Sequence, residues 1–319
     1  MKKLILVFLT AVLWTGVFSQ QERQASHYMY DLISVNPASA GSTDKISTHA
    51  ILRQQWVGID GAPEDIVVNL DAPFRLFKAD HGIGASVWYD KLGFNEDINL
   101  SLSYAYQFHV GNGKLGLGLS GSFMNRKLKP DWIIPNSPLH DQGDEAIPKG
   151  NQNEFIFDLG AGLFYRTDEL YVGISSTHLL QDEFVYQTEG TSGASQAKEQ
   201  MIRHYYLTAG YTLQLSNPAF ELLPSVMLQS DARVTKIDLN TTVMYNKKFW
   251  VGVTYRVGVA IVGMIGVEIL NGLKVGYSYD FDTTALSNFS SGSHEVMLGY
   301  SFNLGVEKIP QKYKSIRFL

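Results

Sequence analysis

Ile98-Asn99-Leu100-Ser101-Leu102-Ser103-Tyr104-Ala105-Tyr106-Gln107-Phe108 decides the fold. Large apolar residues hold every even position and small or polar residues every odd one. That period of two is the signature of a strand with two unlike faces. The pattern returns at Leu115, Leu117 and Leu119, at Leu273 to Phe281, and at Val296 to Phe302. The face opposite the apolar one is rich in glycine and serine and poor in charge. A water-soluble sheet normally sets charged residues against water on that face. Aromatic residues fall near the ends of the runs, at Tyr89, Phe108, Phe123, Tyr165, Tyr211, Tyr245, Trp250, Tyr255 and Phe281. A lipid-facing band flanked by aromatic girdles has this distribution. A soluble β-sandwich is the competing reading and would place aromatics in mid-strand as well.

The connections decide between the two. Fourteen strand-like runs follow one another between Lys45 and Asn303, most of them near the length that a tilted membrane strand needs. Most even-numbered connections are tight, as at Gly111-Asn112-Gly113, Thr167-Asp168, Ser216-Asn217-Pro218, Asn246-Lys247 and Asn271-Gly272. The long ones are odd-numbered and belong to the first, third, fifth, seventh and thirteenth. Pro73–Asp80 is the exception, a longer turn on the short-turn side. Short periplasmic turns set against long external loops mark an outer-membrane barrel, whereas a sandwich has no reason to sort its loops by parity. In lipid every backbone polar group must be paired internally, which a closed sheet achieves. The expectation is an all-β transmembrane antiparallel barrel of about fourteen strands over residues 45–303. An even strand count places both chain ends in the periplasm.

The flanks fit this location. Lys2 and Lys3 followed by apolar Leu4–Phe18 and the small Ser19 read as a cleaved signal peptide over residues 1–19, with a mature end near Gln20 or Gln21. Residues 20–44 form a periplasmic lead-in to the first strand. Residues 304–319 form a periplasmic tail carrying Lys308, Lys312, Lys314 and Arg317. The 319-residue chain has no cysteine, which removes disulfides, thiolate metal sites and cysteine nucleophiles together. A net charge of −5 without a basic block argues against nucleic acid.

Few residues invite a chemical role. Gly116-Leu117-Gly118 lies inside a strand and is no phosphate loop. No Gly-x-Ser-x-Gly elbow occurs, and no cofactor motif is present. The eight histidines show no pair at helical metal spacing. His178 and His204 flank one long connection and can meet across it, or they are ordinary strand-end histidines. Arg53 is opposite in phase to Leu52 and points into the lumen, where it needs a carboxylate. Arg256, Lys274, Asp158, Asp238, Glu268 and Asp280 share that phase. They read either as internal bracing or as a solute pathway. The loop Lys127–Asn153 sets Trp132 in a frame of prolines, as an exposed contact surface or a plug for the barrel mouth. Gln181–Gln200 is flexible by composition.

One segment carries a resemblance. Tyr28-Met29 leads to Asn36-Pro37-Ala38-Ser39-Ala40-Gly41-Ser42, then Arg53-Gln54-Gln55-Trp56-Val57-Gly58-Ile59 and Gly61-Ala62-Pro63. This resembles the start of the PorP/SprF family, outer-membrane proteins associated with type IX secretion and gliding in Bacteroidetes. The resemblance implies a non-enzymatic secretion or anchoring component. Its implied partners are outer-membrane lipid, exported surface proteins or adhesins with a C-terminal sorting domain, and periplasmic components of the machinery. A transporter or porin for small or hydrophobic solutes is the alternative, and an outer-membrane hydrolase a third. Asn36, Pro37, Gly41, Arg53, Trp56, Trp132 and Arg317 are the candidate partner-contact or lumen residues.

Overall fold

The computed structural model describes residues 22–130, 148, 150–190, 193–270 and 272–303. The signal segment, the tail with Arg317, and Trp132 with most of its loop lie outside the described residues. Fourteen strands form the wall: β1 (Ile46–Gln54), β2 (Glu64–Leu76), β3 (Ala79–Leu92), β4 (Asn95–Val110), β5 (Gly113–Leu128), β6 (Gln152–Arg166) and β7 (Leu170–Thr177). They continue with β8 (His204–Tyr211), β9 (Phe220–Ser230), β10 (Thr235–Tyr245), β11 (Phe249–Arg256), β12 (Ala260–Leu270), β13 (Leu273–Asp282) and β14 (Ser293–Phe302). Each pairs antiparallel with its neighbours in the chain, and β14 closes on β1 from Ile46↔Phe302 to Gln54↔His294. The result is a closed fourteen-stranded barrel, and every one of the fourteen runs read from the sequence is a wall strand.

The apolar face turns outward. Leu102 is 57% exposed and Leu119 66%, while Asn99, Ser103, Ala105 and Gln107 on the opposite face are buried. This inverts a soluble protein and suits a lipid surround. No described helix is long and apolar enough to cross a membrane. Trp250 departs from the girdle reading. It alternates with exposed Phe249 and Val251, faces the lumen at 2% exposure, and packs with Ile51, Val67 and Met297.

The parity of the connections holds with two corrections. Pro73–Asp80 is not a long turn: β2 and β3 pair through Pro73↔Gly82 to Leu76↔Ala79. Phe77 and Lys78 close the hairpin with φ of +48° and +67°, the double positive φ of a type I′ turn. The third connection shrinks to Gly93-Phe94. A further correction concerns Gln181–Gln200. It is a hairpin of Glu183–Gly190 on Gly193–Gln200, not a loose loop. Phe184 and Tyr186 alternate inward onto Met124, Leu128, Ile156 and Met201, and Arg126 lies 4.3 Å over the Phe184 ring. Gly190 and Gly193, part of the composition that suggests flexibility, pair at the far end from this apolar root.

Candidate functional site: a lumen occupied by the N-terminal segment

The lead-in to β1 runs inside the barrel. Glu22 meets His178 just beyond the end of β7, at the long-connection end. Ser42 and Lys45 line a cavity at the short-turn end with Asp71 and Lys274. The segment therefore crosses the lumen from one end to the other before β1 begins. Three short helical turns, Tyr28–Tyr30, Leu32–Val35 and Pro37–Ser39, compact it on the way. The expectation that residues 20–44 wait on the same side as the C-terminal end does not hold for the described part. Residue 22 and Phe302 lie at opposite ends of the barrel.

The lower half is seated by shape. Asn36 caps the last turn by accepting from the Ala38 N–H at 3.0 Å, and it donates to the Leu163 carbonyl at 3.0 Å. Pro37 stands at the first position of that turn, where its missing N–H costs nothing. Ala38 and Ala40 are fully buried. The wall beneath them is glycine. A Cβ on Gly118 would lie 2.1 Å from Ala38 N, and one on Gly82 would lie 1.9 Å from Ala40 O. Gly41 turns the chain out with φ +61°, and its N–H donates to Asp71 at 3.0 Å. The small-residue face of the strands is thus the floor on which Asn36–Gly41 lies.

The upper half is seated by charge. Arg53 of β1 donates to Asp280 at 2.6 Å, to Glu295 at 3.2 Å and to the Ser26 hydroxyl at 2.8 Å. Arg256 of β11 shares Asp280 at 2.6 Å and binds Asp238 at 3.2 Å. Glu295 also accepts from the backbone N–H groups of Ser26 and His27, both at 2.7 Å. All of these residues are buried. Arg23 pairs with Asp31, which also takes hydrogen bonds from Ser34 and Asn69. A charge in this position without its partner would be costly, so each group is held by at least one opposite charge.

A second polar cluster ties Glu22 to the wall. His178 has Glu22 on Nε2 at 3.0 Å and Asp158 on Nδ1 at 2.8 Å. Burial alone would lower the His178 pKa, but these two carboxylates reverse that and push it up to about 10. The His204 ring lies edge-on to His178, with centroids 6.1 Å apart. The two histidines that flank the seventh connection do meet.

Residues 17–300 match the family model described as "Type IX secretion system membrane protein PorP/SprF". The chain belongs to the PorP/SprF family. No curated protein matches it. Among solved structures, the Pseudomonas putida toluene transporter TodX shares the fold, with a TM-score of 0.52, 11% identity, and 91% of this chain and 95% of that chain covered. A Pseudomonas aeruginosa FadL homologue gives a TM-score of 0.47 and 12% identity, covering 84% of this chain and 92% of that one. The PorP/SprF chain is therefore a type IX secretion membrane component built as an outer-membrane barrel, and TodX bears on the fold alone.

Within this PorP/SprF barrel the candidate residues separate. Asn36, Pro37 and Gly41 hold the segment to the floor in the lower half of the lumen, and Arg53 crosses the upper half. Trp56 sits just beyond β1 on the long-connection rim with φ +48°, and its N–H donates to Ser293 Oγ at 3.1 Å. Trp132 and Arg317 lie outside the described residues. Sequence reasoning missed Glu295, Ser26, His27 and Glu22. Glu295 alternates with Val296 and Leu298 in the last strand, so its phase marked it as lumenal. Nothing in the sequence pattern placed Glu22 beside His178.

Proposed function

We propose that the protein supports secretion or surface anchoring of proteins with a C-terminal sorting domain, as a non-enzymatic outer-membrane partner rather than a solute channel. The observation that carries this reading is the seated N-terminal segment. A general pore keeps a water-filled lumen, whereas here residues 22–42 and the Arg53/Arg256 network cross it. The same network favours bracing over a solute pathway for Arg53, Arg256, Asp238 and Asp280. The two ends of the barrel remain as protein-binding surfaces, because a lipid-facing band cannot hold a soluble partner.

With the short turns in the periplasm, the outer face offers Trp56, the loop around Trp132 and the hairpin Glu183–Gln200 to an exported protein or adhesin. The inner face offers the exposed Phe77 tip and the basic tail with Arg317 to periplasmic machinery. Binding energy at such surfaces concentrates in a few aromatic and arginine residues. A clean deletion strain complemented with Trp132→Ala, or with residues 308–319 removed, tests the assignment. Barrel level should be unchanged, display of the cognate surface protein should fall with the first, and co-purification with periplasmic components should fall with the second. Normal display in the deletion strain, with loss of uptake of a solute, would replace this reading with a transporter.

A further inference from the structure

We propose that Glu22, His178 and His204 form a binding site for a divalent transition-metal ion, zinc foremost, that clips the start of the N-terminal segment to the barrel wall. One carboxylate oxygen and one nitrogen from each ring lie within 4.8 Å of one another. The set is the two-histidine, one-carboxylate combination that suits zinc with water in the fourth position. Three parts of the chain distant in sequence supply it: the lead-in segment, the residue after β7, and the first residue of β8.

The hydrogen bonds behind the two imidazoles distinguish this cluster from an ordinary buried ion pair. His204 Nδ1 donates to the Ile202 carbonyl at 2.9 Å. In the neutral ring that bond puts the proton on Nδ1 and leaves Nε2 as the ligating nitrogen. His204 is 1% exposed, and this Nε2 is a buried atom without a hydrogen-bond partner. A pair between Glu22 and His178 gives no reason for such an orphan, because a buried polar atom left unpaired is costly. His178 is held by Asp158 on Nδ1, and Asp158 is held in turn by the Leu180 N–H at 3.1 Å. A carboxylate behind one ligating histidine and a carbonyl behind the other is the arrangement that orients imidazoles toward a metal. Binding releases the proton between His178 Nε2 and Glu22 to solvent, and the ion takes its place. Glu22 is partly exposed, so the site has an approach from the long-connection end.

The test uses the full mature barrel, purified in detergent with a tag that carries no histidine and stripped with EDTA. Added zinc should be retained at about one ion per chain through gel filtration and should raise the unfolding midpoint by several degrees. Cobalt should bind with the visible absorption of a low-coordinate nitrogen and oxygen site. Magnesium, which prefers all-oxygen octahedral sites, should do neither. Glu22→Gln changes a residue outside the wall, so it keeps the test informative if His204→Ala fails to fold. Each should abolish the zinc shift, and Asp158→Asn should weaken affinity about 10–100-fold. Zinc retention at background level, equal retention by the wild type and Glu22→Gln, or equal stabilisation by magnesium would each overturn the proposal.

Discussion

The two halves of the lumenal segment are held in different ways. From Glu22 to Asp31 the chain is held by charged and polar side chains that share partners, Glu295 alone taking Ser26, His27 and Arg53. From Asn36 to Gly41 it lies backbone against backbone on glycine, with no room to give. The contrast teaches that one segment can be seated by redundancy at one end and by fit at the other. The two should fail differently.

The largest effect should come from the floor. Gly118→Val or Gly82→Val places atoms where Ala38 and Ala40 now lie, and no rotamer relieves a clash that begins at Cβ. The barrel should still migrate as a heat-modifiable species, but residues 22–42 should become sensitive to protease and conductance in planar bilayers should rise. An unchanged protease pattern would show that the floor does not seat the segment. Next, Arg53→Ala leaves Glu295 short of a partner in a buried site, which costs about 3–5 kcal/mol and should be visible as a lower unfolding midpoint. Arg256 still neutralises Asp280, so the segment should stay protected, and its release would erase the distinction between the halves. Asn36→Ala removes a cap and a bond to the wall, for about 1–2 kcal/mol. Tyr28→Phe, which loses only the 2.8 Å bond to Ser225, should cost about 1 kcal/mol and mark the lower limit of the series.

The wall was legible because the period of two reports directly which side chains face lipid. The contents of the lumen were not, since alternation says that a residue faces inward but not what it meets there. The signals were nevertheless present. A glycine and serine face with little charge is too small to fill a barrel of this size, and Asn36-Pro37-Ala38-Ser39-Ala40-Gly41 is as small as the face it packs on. Trp250 stands near a run end but in the lumenal phase, and phase decides which face it takes. Pro73 suggested a loop, yet it sits within β2 opposite Gly82. The Phe184 and Tyr186 alternation was hidden beside a run of glycine, serine and alanine.

The bond from His27 to Glu295 joins residues 268 apart in the chain. Contacts of that span are late ones, because their loop-closure entropy must be met before they form. Glu295 belongs to the strand that makes the seam with β1, so the charged half of the segment cannot be seated until the final strand has arrived. The ring therefore closes around its own beginning, and a chain halted short of β14 would leave its first residues loose for a protease to find.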